Sequence, residues 1–193
     1  NHAMTSSFIS VECHLGLSIE EEHQLFSDLN DRGLRVTKAL SQKYNRADPV
    51  NLLVHELIDT KKLSFPVLDT DESDWHKDVG GQLRKDIHTV TSFAVLGKGS
   101  SKDSTPASVD KNRGIAERLW KAVAKAPHFG SAKSKTKTTL AQPVMLKAIA
   151  KLAHELSGTS KSGVRNDAGL KKLWSSIETG GLKFEHSNHL WGS

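Results

Sequence analysis

Apolar residues return at intervals of three and four along most of this chain. Val50, Leu53, Val54, Leu57 and Ile58 share one face at helical spacing. Asp48 and Pro49 stand just before them, a capping side chain followed by a residue with no N–H to leave unsatisfied. The pattern predicts a helix there. Ser18-Ile19-Glu20-Glu21 reads as a capping box, in which the serine hydroxyl accepts from the Glu21 amide and the Glu21 carboxylate accepts from the serine amide. It opens a helix with Leu25, Phe26 and Leu29 as the expected buried stripe and Gly33 as its end. A shorter helix is expected over 36–44.

Further along, Leu83, Ile87, Val90 and Ala94 suggest a helix to about Leu96, although Ile87, Thr89, Val90 and Thr91 also suit a strand. Asp110 is the expected cap of a helix carrying Ile115, Leu119, Trp120 and Val123, which Pro127 ends. Another helix is predicted over 140–157 with Met145, Ile149, Leu152 and Leu156 inward and Gly158 closing it. In the last, Asp167 is the expected cap, with Leu170, Leu173, Trp174 and Ile177 inward and Gly180-Gly181 beyond. Phe184 and Trp191 mark a tail that docks on the body.

Strict alternation occurs once, in Phe8-Ile9-Ser10-Val11-Glu12-Cys13, a short strand that needs a sheet to join. Residues 63–81 read as irregular. Residues 97–108, rich in Gly, Ser, Lys and Pro, read as a flexible linker between a region at 5–96 and another at 109–193. Asn1-His2-Ala3 before Met4 reads as an expression remnant, with Met4 as the native start or a cloning junction, so residues 1–4 are set apart as remnant and start. The expected class is mainly α, a multi-helix domain with a short N-terminal strand.

Charge divides the chain. The formal net charge is +5 over 193 residues. Residues 1–80 carry 8 Lys/Arg against 14 Asp/Glu, whereas the remainder carries 19 against 8, so the two parts stand at −6 and +11. Such asymmetry points to nucleic acid before membrane. No apolar run approaches the roughly 20 residues that span a bilayer. The single Cys13 can form neither an internal disulfide nor a cysteine zinc site, which fits a reducing, cytoplasmic setting.

Motifs for chemistry are weak. Gly97-Lys98-Gly99-Ser100-Ser101 lacks the glycine that a phosphate loop places five residues before its lysine, since position 93 is Phe. Asp69, Asp71, Asp74, His76 and Asp78 lack the central glycine and twelfth-position glutamate of a calcium loop, and read as a solvated acidic stretch. His55-Glu56 and His154-Glu155 have no second histidine four residues on, and the ten histidines read mostly as surface or helix-flank residues. Cys13 beside a strand reads as a small core residue. The expectation is a protein without catalytic residues, metal or cofactor.

The basic part offers more. Lys133, Lys135 and Lys137 alternate with Ser and Thr directly before a helix, the groups and the setting that hold phosphate oxygens. Arg113, Arg118, Lys121 and Lys125 lie on the preceding helix, and the last three share a face. Lys171 and Lys172 begin the surface of the last helix. A solvated loop on a protein that contacts no DNA explains the lysines equally well.

Gly16 to Asn30, followed by Val36-Thr37-Lys38-Ala39-Leu40, resembles the DGQHR-domain family of ParB-like, DndB-type proteins associated with DNA phosphorothioation. In that family a strand leads into a helix ending in F-x-D-[IL]-N and then a short V-x-K-[SA]-L helix. Phe26, Asp28, Leu29 and Asn30 match the first element, and Val36, Lys38, Ala39 and Leu40 the second. Asn45-Arg46-Ala47-Asp48-Pro49 is also similar to the family stretch before the next helix, and a looser similarity covers 139–152. The Asp-Gly-Gln-His-Arg motif itself occurs nowhere in this sequence, so no nucleotide-dependent activity carries over with the resemblance. On this reading the chain is a fragment or shortened relative of a ParB-like α+β protein. Asp28 and Asn30 are either functional in the family sense or polar organisers of a helix end.

The resemblance and the charge split together imply a DNA-binding accessory or regulatory protein of a DNA-modification or defence system. Its basic part would engage phosphates, and its acidic part a protein partner or a second copy. The alternative is a protein-interaction scaffold whose lysines serve solubility; a nuclease or nucleotide hydrolase ranks below both.

Overall fold

The computed structural model describes residues 14–32, 42–69, 80–158, 165–182 and 184. The expected strand at 8–13, most of the helix expected over 36–44, the greater part of the acidic stretch and Trp191 lie outside the described residues. Helices dominate: α1 Ile19–Arg32, α2 Pro49–Asp59, α3 Arg84–Leu96, α4 Pro106–Asp110, α5 Arg113–Lys125, α6 Ser134–Lys137, α7 Pro143–Leu156 and α8 Asp167–Glu178. A 3₁₀ turn at Thr139–Ala141 leads into α7, and residues 42–44 form one helical turn before α2. The two-stranded sheet is minimal, with β1 Val67–Leu68 parallel to β2 Gln82–Leu83 in the register Val67 to Gln82. Sequence reading left residues 63–81 irregular, because a two-residue strand carries no periodicity to detect.

Helix α3 is central. It packs most extensively on α7 and also touches α2, α4 and α5, while α8 lies along α5. The strand alternative for 84–96 loses because Ile87, Val90, Ala94 and Val95 are all buried at helical spacing. Gly97 then ends the helix at φ 70, and its amide donates to the Phe93 carbonyl. One cluster of buried residues runs from Val50 through Ile87, Leu119, Trp120, Leu140 and Leu146 to Ile177 and Phe184. Burying each such side chain contributes about 1.5–3 kcal/mol. Three buried polar side chains against it find partners. Trp120 Nε1 donates to Thr91 Oγ1 at 3.0 Å, Asn112 Nδ2 to the Val95 carbonyl at 2.7 Å and Gln82 Nε2 to the Ala141 carbonyl at 3.1 Å.

Several helix starts fall where the sequence places them. Asp48 Oδ1 accepts from the Val50 amide at 2.9 Å with Pro49 in the first turn, and the Ser18–Glu21 capping box is present in both directions. Two caps shift by a residue or more. Asp110 ends α4, and Asn112 stands before α5; Asn166, not Asp167, caps α8 by accepting from the Gly169 amide at 2.8 Å. Adjacent Asn and Asp compete for the same amide, and only the backbone angle decides between them. Within 97–108, Thr105 and Ser108 form a reciprocal capping box for α4, which touches α2 and α3.

Two expected buried stripes differ. Phe26 and Leu29 of α1 are 45% and 63% exposed, and Phe26 instead meets the edge of Tyr44 at 4.9 Å. In α7 the inward residues are Leu146, Ile149, Ala150, Ala153 and His154, with Leu152 exposed, because small alanines carry part of the packed face. The expected tail contact is present at Phe184, which is buried and whose carbonyl accepts from the Thr139 amide at 2.7 Å. Backbone also meets backbone where Gly80, at φ 78, enters β2: a Cβ there would stand 2.3 Å from the Gly130 carbonyl oxygen.

Candidate nucleic-acid interface

Helix α5 presents its four cations in two different states. Arg113 Nη1 donates to both Glu56 carboxylate oxygens, at 2.6 and 2.7 Å, and its Nε lies 3.4 Å from Asp110. Arg118 donates to Glu178 across the α5–α8 contact, and that bond holds the Glu178 carboxyl below its ordinary range, with Lys125 and Lys121 adding to the effect. Both arginines are therefore ion-paired at the surface. Lys121 and Lys125 are exposed and have no ion pair among the described residues. The face shared by residues 118, 121 and 125 thus holds one neutralised cation and two free ones.

The second lysine group is more ordered than its composition suggests. Instead of a mobile loop, residues 134–137 form a helical turn in which the Lys137 amide donates to the Lys133 carbonyl at 3.2 Å and Thr136 Oγ1 donates to the same oxygen at 2.8 Å. The hydroxyls that suggested phosphate contact are partly spent on the backbone. Lys133, at φ 62, and Lys137 are exposed, but Lys135 is only 9% exposed. Its charge acts on Asp86 together with those of Lys147 and Lys85; burial outweighs all three and pushes the Asp86 carboxyl upward. A four-residue turn closes one inward position between two outward ones, which alternation in sequence cannot distinguish.

Beside α5 lies a cleft of about 520 Å³ between that helix, the end of α7 and the start of α8. Lys111, Arg118 and Arg165 bring three cations to it, and Ser157, Asn112 and Trp174 add polar and aromatic lining. Arg165 Nε is 2.6 Å from Asp167, so one of its neighbours partly neutralises it. Sequence reasoning singled out Arg118 but missed Lys111 and Arg165, whose signal is only that each stands two residues before a helix. Lys171 and Lys172 are exposed on α8.

Other candidates settle as follows. Among the described histidines, His55, His88 and His154 are buried on the packed faces of their helices, whereas His14 and His128 are exposed. His88 Nε2 donates to Asp48 Oδ2 at 2.8 Å, and Ser101 Oγ donates to the same oxygen at 2.5 Å. Burial raises the Asp48 carboxyl, but these bonds and the nearby imidazole outweigh it and hold it at about 2. This is not a nucleophile arrangement, because serine meets the carboxylate and not the imidazole that would take its proton. No group of three or more His, Cys, Asp or Glu among the described residues is placed to hold a metal ion. Asp28 Oδ1 accepts from Gln24 Nε2 at 2.8 Å on the exposed side of α1; Asn30 stands in the same helix, and Lys38 lies outside the described residues. No helix among the described residues is long and apolar enough to cross a membrane.

Comparison with curated proteins and with solved structures returns no match. The DndB family model, described as DNA-sulfur modification-associated, matches residues 1–193. That match spans the whole chain, so this mainly helical chain belongs to the DndB family of DNA-sulfur modification-associated proteins.

Proposed function

We propose that this chain is a DNA-contacting accessory or regulatory member of a DNA-sulfur modification system, with no catalysis of its own. The observation that carries the reading is the cation-lined cleft of about 520 Å³ beside a helix bearing two free lysines. Lys121 and Lys125 engage backbone phosphates, Lys111, Arg118 and Arg165 flank the cleft, and Lys133 and Lys137 extend the contact as the helical turn allows. Lys135 and Arg113, held inward and in an ion pair, orient neighbouring elements and do not touch the duplex. Phosphate contact of this kind supplies affinity and register without base readout.

Salt-dependent duplex binding tests this. Each phosphate neutralised adds about −0.9 to the slope of log affinity against log salt, so Lys121→Ala with Lys125→Ala is expected to reduce the slope by about 2. An unchanged slope removes α5 from the interface, and no binding at low salt removes DNA contact altogether. A scaffold role has one observation in its favour: Leu15, Ile19 and Leu29 are 92%, 66% and 63% exposed around α1. Retention of a partner without DNA affinity would select that reading.

A further inference from the structure

Opposite in character to the α5 surface, a buried polar nest lies where residues 42–46 cross α2 and approach the start of α3. Asn51 and His55 stand one turn apart on α2, only 1% and 7% exposed, and Asn51 Nδ2 donates to the backbone carbonyls of residues 42 and 45. Arg84, 6% exposed, meets Asp69 at 2.6 Å, and the same carboxylate takes Lys43 at 3.2 Å. Arg46 completes the set, and its charge and that of Arg84 both act on His55. Among the described residues, the carboxylates of Asp69 and Asp59 stand against three permanent cations, Lys43, Arg46 and Arg84.

Their hydrogen bonding is incomplete. Arg46 Nε, Arg84 Nη1, His55 Nε2 and Asn51 Oδ1 are all buried and have no partner. A buried donor left unmade costs about 1–3 kcal/mol, more when charged, so a ligand that completed these four groups on residue 46, α2 and the start of α3 would bind favourably. Cations outnumber carboxylates among the described residues there, so an anion suits both the charge and the unmade donors. The mixture of donors with an amide oxygen acceptor narrows it further: an anion with its own hydroxyl satisfies both kinds, whereas a fully deprotonated oxyanion leaves the acceptor unmet.

We propose that Arg46, Arg84, His55 and Asn51 form a binding site for a hydrogen phosphate group, separate from the α5 surface and carried either by inorganic phosphate or by the terminus of a nucleotide. The guanidinium N–H groups hold the charged oxygens, and Asn51 Oδ1 accepts the phosphate hydroxyl. His55 Nε2 meets a further oxygen, as donor or as acceptor of a protonated one. Asp69 keeps Arg84 aimed, and is a positioning residue.

Thermal unfolding of the full chain in chloride, sulfate, inorganic phosphate and ATP at matched ionic strength tests the site. At tenfold excess over Kd, phosphate is expected to raise the midpoint by about 3–6 °C, and sulfate by clearly less. A response to ATP as well places a nucleotide terminus in the site, and a response to phosphate alone restricts it to the free ion. Arg46→Gln, at a half-buried position that tolerates the change, is expected to weaken phosphate about tenfold or more while leaving the salt slope of duplex binding unchanged. Equal shifts from sulfate and phosphate, retained in Arg46→Gln, would mark a general salt effect and overturn the proposal, as would no shift from any of the anions.

Discussion

The cations of α5 and those around α2 differ in what surrounds them. On α5 each arginine has its own carboxylate, Arg113 with Glu56 and Arg118 with Glu178, and the lysines reach into water. Around α2, Lys43 and Arg84 divide a single Asp69, and Arg46 has no carboxylate partner among the described residues. Exposed pairs are worth little because water screens them, typically below 1 kcal/mol. Buried, under-paired charge is costly, and a protein retains it where the charge has another use. The number of cations alone would rank α5 as the more significant site, yet burial makes the smaller group the more consequential for stability.

Four measurements sharpen or break that contrast. The largest effect is expected at His55. Burial, and then the Arg46 and Arg84 charges, depress its imidazole to about 4 against an ordinary 6.5, so the folded chain binds fewer protons than the unfolded one between those values. Stability is then fully present above pH 6.5 and falls as pH drops towards 4, by roughly 3 kcal/mol; denaturant midpoints over that range check it, and His55→Gln is expected to flatten the curve. Asp69→Asn comes next. Burial raises its carboxyl, but the bonds and charges of Arg84 and Lys43 bring it below its ordinary range, so removing the charge leaves Arg84 buried and unbalanced. A loss of about 2 kcal/mol is expected by urea unfolding, the partial exposure of Asp69 keeping it below the fully buried case.

Breaking a surface pair costs less. Glu178→Gln is expected to lower stability by less than about 1 kcal/mol, because both partners are partly exposed; a loss near that of Asp69→Asn would erase the distinction between the regions. Smallest is the paired replacement of Lys121 and Lys125 by Ala, expected to move the unfolding midpoint within about 0.5 kcal/mol while changing duplex affinity. A folding defect in that variant would show that the lysines pack instead of waiting for a partner.

Much of the helical frame was legible in sequence, since Asp48-Pro49, the Ser18–Glu21 box and the apolar spacing of residues 84–96 and 167–178 are local signals. What escaped was set by neighbours. Leu29 has the right spacing for a core, but no packing partner among the described residues covers it, and the phase of α7 follows alanines that hydrophobic counting undervalues. The candidate sites show the same limit. Lys121 and Lys125 were recognisable as a basic face, whereas the loss of Arg113 and Arg118 to Glu56 and Glu178 joins residues about sixty positions apart. Arg46, Asn51, His55 and Arg84 carried no shared pattern at all, because tertiary folding alone brings them together.

The Gly80–Gly130 contact carries a consequence for how this chain can vary. In an unbiased substitution library, position 80 is expected to return only glycine, because any side chain would drive a backbone oxygen of the basic part away from the strand entry of the acidic one. Position 114 also holds glycine, but a Cβ there meets nothing within 4 Å and the residue sits in a helix. Alanine is expected to replace it freely in such a library. Two identical residues in one sequence thus mark opposite ends of evolutionary freedom, and the immovable one sits on the seam between the chain's two charges.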